Sequence, residues 1–389
     1  MPIKLRLMKR VAVLIGTIAL CGCAARVPAQ MAEKRWSKHR GSFQSFISSC
    51  VGGVAIIDKP VSIEKTITIE GDITVLGSGG GISCSAPDAF LLGSGEHRFE
   101  NLRIDMLRTE GAAFYTRQQP GIRWTNRLKR LTVTGGRYAY YAARGVGVRT
   151  YIEDCDFHTS MLNIAIYSQD SNDNELYLNR VQLRTDSSHH IYLHPNVSVD
   201  FREVTTQGPG LALHQFSGGE VGYNQGKFAR YHRVRSKSET AMWGMVPMAG
   251  HSYTVVDSSD IAPYNMLGVK PALLKASHTR FYNGGNGAKL RGELTNCRGE
   301  IWTAGAGDTL VVNGGEFDFV SLRPGGVLIL NKVKVKHLSL ADRGEAFEVI
   351  LNDSEVGYID DSKNGNGRVL QRNSKINGNN LRPGLLRQQ

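Results

Sequence analysis

The chain has no apolar run of the length a membrane-spanning helix needs: the run near its start is too short, and no later segment approaches that length. Cysteine is scarce. The six residues, at positions 21, 23, 50, 84, 155 and 297, follow no zinc or iron–sulfur spacing. Cys50 and Cys84 could pair in an oxidising compartment, whereas Cys155 and Cys297 sit in alternating apolar segments and read as core residues. No stretch sustains the 3.6-residue period of a long helix. There is no dense basic helix and no zinc-finger spacing, which sets nucleic acid aside as a partner.

What is present begins with a leader. Lys4, Arg6, Lys9 and Arg10 precede an apolar run from Val11 to Leu20, followed by Cys21-Gly22-Cys23-Ala24-Ala25. A basic start, a short apolar core and small residues read as a secretory signal. Leu20-Cys21-Gly22-Cys23 resembles the lipobox of bacterial lipoproteins, which implies lipidation at Cys23 and a lipid anchor. Cleavage near Pro28-Ala29-Gln30 is the alternative. Export to the periplasm or outer membrane, or secretion, is the expectation. The formal net charge is +12, of which the leader's four basic residues supply a third. The modest excess that remains favours an acidic partner, and an acidic polysaccharide fits both charge and compartment.

The forty-four glycines point to many short strands and turns. Short apolar segments recur at intervals of about one solenoid coil, as in Ile164-Ala165-Ile166-Tyr167, Ile191-Tyr192-Leu193-His194 and Leu211-Ala212-Leu213-His214. Later segments repeat an apolar strand, an Asn or Gly corner and a second strand, as in Val327-Leu328-Ile329-Leu330-Asn331-Lys332-Val333-Lys334-Val335. Asn and Gly suit the left-handed backbone of a sharp corner, and β-branched residues fill the walls. The predicted fold is all-β, a right-handed single-stranded parallel β-helix of roughly ten to twelve turns over residues 50–365. Residues 1–23 are the signal and 24–49 a linker and N-terminal cap, with Arg35–Ser49 amphipathic. Residues 366–389 are a C-terminal cap or tail. Met242 to Gly268 reads as a long insertion between turns, with Trp243 facing substrate.

Aligning the coils on the two-residue strand period gives candidate columns. Tyr167, His194 and His214 form an outward column, with Tyr192 and His190 on the same outward face. A second alignment places Asn179, Arg202 and His232 together, then Arg180, Glu203 and Arg233, then Gln182, Thr205 and Arg235, then Arg184, Gln207 and Lys237. Guanidinium groups match carboxylates and sulfates bidentately, so this strip could hold an acidic sugar chain. Outward Arg and Lys also serve simply as a solvated face. His39, His97, His251, His278 and His337 receive no role.

The coil rhythm and segments such as Ser188-His189-His190-Ile191-Tyr192-Leu193-His194 resemble the pectate-lyase-like superfamily over residues 50–365. The resemblance implies the fold and a range of activities that includes polysaccharide lyases, uronan epimerases, glycoside hydrolases, esterases and non-catalytic members. The acidic cluster of its calcium-dependent lyases is not matched, since Asp156, Asp200 and Glu203 do not gather. The Asp-Pro-His-Asp motif of its alginate epimerases has only His194-Pro195-Asn196 as a counterpart.

A lyase or epimerase acting on a uronate needs a cation on the carboxylate and a base for the C5 proton. The catalytic candidates are His194 or His214 as base, Arg233 as cation (with Lys237 as substitute), and Tyr167 or Tyr192 as proton donor. His190, Arg184, Arg202, His232, Arg235, Lys237 and Trp243 are the substrate-binding candidates. No cofactor is called for, and a divalent cation such as Ca2+ stays open. The alternatives are a non-catalytic glycan binder of the cell envelope and a glycoside hydrolase. Oligomeric state is not legible.

Overall fold

The structure, a computed structural model, describes residues 32–116, 123–143, 147–167, 174–187, 189–193, 197–209, 211–215, 228–236, 253–261, 273–282, 289–303, 305, 307–340, 346–362 and 365–388. The described strands pair in parallel along three ladders, so the chain winds as the expected parallel β-solenoid. The first wall holds Trp124–Lys129, Val148–Glu153 and the first half of Asn174–Thr185 in successive coils. The second holds Thr132–Gly135, Asp156–Thr159 and the second half of Asn174–Thr185. The third runs from Ile67–Ile69 to Leu211–Gln215.

Period-two alternation builds the core. Ile152, Leu178, Phe201, Tyr231, Val256, Ala276 and Leu294 are register partners in successive coils of the first wall, and all are buried. Phe90, Phe99 and Phe114 pack with ring centroids 4.7–5.7 Å apart. Each fully buried side chain of this size stabilises the stack by roughly 2–3 kcal/mol.

One residue with a left-handed backbone turns the chain from the first wall to the second. In six consecutive coils it is Asp154, Arg180, Glu203, Arg233, Ser258 and His278, with φ between 48° and 55°. The bend leaves both flanks extended, and the corner amide still bonds across coils, as from Arg233 N to the Asp257 carbonyl at 3.0 Å. These corners are broader in composition than the Asn or Gly expected, because the stacked pairing on either side holds the conformation in place.

Several expectations are corrected. Tyr253–Asp257 and Asp260–Ile261 are ordinary strands of the first and second walls, so the stretch read as an insertion contributes to both ladders. Its alternation, Tyr-Thr-Val-Val-Asp, spans only five residues, too few to stand out in the sequence. Met242 and Trp243 lie outside the described residues. The solenoid also continues past residue 365. Gly367–Arg372 and Lys375–Asn379 pair onto the preceding coil, and Leu386–Gln388 pairs onto Gly367–Arg372. Cys50 and Cys84 are separate buried thiols, and Cys155 and Cys297 are buried as expected.

At the N-terminal side the helix is shorter than the amphipathic segment suggested. Glu33–Arg35 is a strand paired with Val54–Ile57, and the α-helix spans Phe43–Ser49. Ser42 caps it by accepting from Ser45 N, and Phe43, Phe46 and Ile47 are buried in the common core. Gln44 bonds both backbone groups of Thr68 at 2.8 and 2.9 Å. The residues of the leader, including Cys23, lie outside the described residues.

Candidate functional site

The register of the first and second walls agrees with the aligned strip. Asn179, Arg202 and His232 are partners on the first wall. Arg180, Glu203 and Arg233 are the corner residues, while Gln182, Thr205 and Arg235 are partners on the second wall. Arg184 pairs with Gln207, and Lys237 lies outside the described residues.

The charge of the strip differs from expectation. Arg180 bonds Asp154 at 2.5 and 3.0 Å and Glu153 at 2.6 Å. Arg184 pairs with Asp156, and Arg202 holds Asp200 through two bonds at 3.0 and 3.2 Å. Arg233 meets Glu203 at 3.3 Å, and Arg235 lies 3.9 Å from Asp260. The strip is therefore a ladder of ion pairs. Most of the acidic partners sit a full coil away in sequence, which is why the cations alone drew notice.

Two concavities flank the corner. On the first wall, Asp200, Arg202, Arg230, Tyr231, His232, Val255 and Asp257 line a cleft of about 340 Å³. Across the corner, Arg180, Gln182, Glu203, Thr205, Arg233 and Arg235 line an open groove of about 580 Å³. The two meet through the neighbours Arg202–Glu203 and His232–Arg233.

Within the cleft, Asp257 accepts from four side chains. His232 Nδ1 lies 3.0 Å from one oxygen, which Ser258 also reaches at 3.1 Å. Ser277 Oγ is 2.7 Å and His278 Nδ1 3.4 Å from the other oxygen. Burial acts to raise the Asp257 pKa, but the hydrogen bonds from Ser277, Ser258, His278 and His232 outweigh it and hold the carboxylate below its ordinary range. An ionised carboxylate can only accept, so His232 donates from Nδ1, which in the neutral ring leaves the lone pair on Nε2.

Arg230 and His232 alternate with inward Ala229 and Tyr231, so both face outward on one strand. Asp200 is nearly buried, 6% exposed, under Arg202 and Arg230. Arg230 in turn donates to the Tyr253 hydroxyl at 3.1 Å and lies over the Phe228 ring. The site thus combines two guanidinium groups, an oriented imidazole and a phenol on adjacent coils. Sequence reasoning missed Asp257, Arg230 and Tyr253. Sequence separations of 23 and 25 residues set Arg230 apart from Tyr253 and His232 from Asp257, and Tyr253 and Asp257 fell within the supposed insertion. Among the described residues no group of three or more His, Cys, Asp or Glu is placed to hold a metal ion.

The third wall requires two corrections. His214 is the register partner of Tyr192, and Tyr192 of Ala165, so Tyr167, His194 and His214 do not form one column. The alignment had slipped by two residues at Leu211. Such a slip preserves the inward–outward pattern, so alternation cannot detect it. The His214 side chain, and His194 entirely, lie outside the described residues.

His190 points inward. It is fully buried, with Nδ1 3.4 Å from Asn163 Nδ2, and desolvation pushes its pKa down to about 4. Alternation breaks there, because His190 and Ile191 are both buried. Tyr167 and Tyr192 remain outward and half-buried. Arg233 belongs to the corner of the first and second walls, so the second wall separates it from the tyrosines and from the His214 backbone.

Comparison with protein-family models, curated proteins and solved structures returns no match.

Proposed function

We propose that the first-wall cleft is the active site of a polysaccharide lyase or uronate epimerase of the pectate-lyase-like kind. Its substrate is an acidic polysaccharide, met after export of the chain through its lipobox-like leader. The observation that carries this reading is the Asp257–His232 pair beside Arg202 and Arg230.

The chemistry follows from the groups in the cleft. A uronate carboxylate pairs with the Arg230 or Arg202 guanidinium, which offsets the charge that grows as the C5–H bond breaks. His232 Nε2 takes that proton, while Asp257 stabilises the imidazolium that forms. In elimination, the C4–O bond breaks as the C4–C5 double bond forms, and the Tyr253 hydroxyl protonates the leaving oxygen. In epimerisation, the carbanion is reprotonated on the opposite face and no bond to oxygen breaks. The open groove beyond the corner, with Arg233 and Arg235, accommodates neighbouring sugars.

A hydrolase would require one carboxyl kept protonated beside a second that is ionised. Asp257 is held below its usual range, so it does not supply the protonated member of such a pair. A non-catalytic glycan binder is the second reading. The observation that favours it is the pairing of Arg180, Arg184, Arg202 and Arg233 with acids, which suits a rigid surface as well as a reactive one.

The test incubates the leaderless chain with polygalacturonate and alginate and follows chain length, unsaturated ends and C5 configuration. Unsaturated ends support elimination, and inverted C5 centres without cleavage support epimerisation. Binding with neither change supports the second reading, and saturated fragments sink both.

A further inference from the structure

The third wall carries an outward row of tyrosines that the first-wall chemistry does not use. Tyr115 and Tyr141 are register partners, and their rings stack with centroids 5.1 Å apart at 19°. The next place in the column is Ala165, whose partner one coil further is Tyr192. A ring is missing there, yet the row is unbroken. Tyr167, two residues beyond Ala165, lies with its ring 5.2 Å from Tyr141 and 5.1 Å from Tyr192. Ala165 is completely buried. Four phenols therefore follow one another along the solenoid, one per coil, with Tyr138 beside Tyr141 at 4.9 Å.

The stacking fixes what a ligand can meet. Neighbouring rings lie within 19–31° of parallel and each is half-buried, so a ligand meets the row at its ring edges rather than its ring faces. Inside the same wall, stacking without hydroxyls is supplied by Phe90 and Phe114, 5.7 Å apart. Outside, all four positions carry a hydroxyl. Their spacing, close to the ~4.8 Å rise between strands, is comparable to one sugar unit. Arg137 sits over the Tyr138 ring at 5.3 Å and adds a cation beside the row.

We propose that the hydroxyl rims of Tyr115, Tyr141, Tyr167 and Tyr192 bind an extended polysaccharide chain running along the solenoid. This second binding surface is separate from the first-wall cleft. It rests on the reading above for the identity of the glycan. Burial pushes the Tyr167 hydroxyl up to about 12 and raises those of Tyr115 and Tyr192, so the row stays protonated and donates at neutral pH.

The test is the Tyr141→Phe, Tyr167→Phe, Tyr192→Phe triple variant of the full chain. It keeps the rings and removes three hydroxyls. Affinity for polygalacturonate and for alginate is measured by electrophoresis through gels containing each polymer, with thermal unfolding in parallel. The inference predicts binding weakened at least about tenfold in a variant that still unfolds cooperatively, since each hydrogen bond lost to the glycan contributes a modest share. Unchanged affinity overturns the inference while leaving the first-wall reading intact, and the row is then a stacking device only. Absence of binding by the parent chain to either polymer overturns both together. Cleavage or epimerisation by the triple variant, read separately, reports on the first wall.

Discussion

The imidazole of His232 and the carboxylate of Asp257 lie in adjacent coils with Nδ1 and Oδ2 3.0 Å apart, yet 25 residues separate them in the chain. The contact exists because Cα register pairs His232 with Asp257 on the first wall. Stacking of parallel strands turns a distant pair into neighbours whose side chains leave the same face. The second imidazole, His278, reaches the same carboxylate from the next corner. Asp257 therefore holds contacts to two imidazoles, one on the wall strand and one at the next corner.

Removing the carboxylate's charge while keeping its shape should expose that role. Asp257→Asn is expected to lower kcat on the acidic polysaccharide roughly 10²–10⁴-fold with little change in KM. An amide can donate to Nδ1 and so favours the wrong tautomer. Steady-state kinetics of the variant check this, and a change confined to KM would point to substrate positioning instead.

Stability should fall on mild acidification. Burial lowers the pKa of His97, and that of His190 to about 4, against about 6.5 in the unfolded chain. Below pH 6.5 the unfolded chain takes up protons that the folded core refuses. Stability present above that pH is thus lost as pH drops toward 4, with His190 contributing up to about 3 kcal/mol. Urea midpoints between pH 7 and 4 measure the slope. His190→Leu should flatten it, and an unaltered slope would mean that the ring is not held neutral.

The left-handed corners give a prediction independent of function. Lys332 has φ 56° and an exposed side chain. A β-branched residue suits this conformation poorly, so Lys332→Val should cost roughly 1–2 kcal/mol. Lys332→Gly should be neutral or slightly stabilising. Thermal melts of the two variants decide it, and equal midpoints would show that the corner carries no strain.

Lipidation is tested directly at the leader. When the full chain is expressed in a bacterium fed a labelled fatty acid, the label should appear on the protein and vanish in Cys23→Ala. Label-free protein processed near Pro28-Ala29-Gln30 would show ordinary cleavage instead.

The stack was legible because alternating apolar residues and corner residues recur at coil length, as in Val327 to Val335. The columns through Arg202–His232 and Thr205–Arg235 were legible for the same reason. Each segment offered enough flanking residues to fix its register. At Leu211 the segment was too short, and a two-residue slip left every apolar residue inward, so Tyr192 rather than His194 faces His214. The inward turn of His190 broke the alternation itself, a feature no period-based alignment carries. Asp257 stayed hidden for a third reason. Its strand is only five residues long, and its partner His232 lies a coil away.

The most direct test of the cleft compares the leaderless chain with its His232→Ala variant on polygalacturonate and alginate, following unsaturated uronate ends and C5 inversion together. The account predicts that the parent produces one of these and that His232→Ala loses at least about a hundredfold of it while remaining folded. Full turnover by His232→Ala would contradict the assignment of the base, and no reaction by the parent on any acidic glycan would contradict the enzyme reading itself.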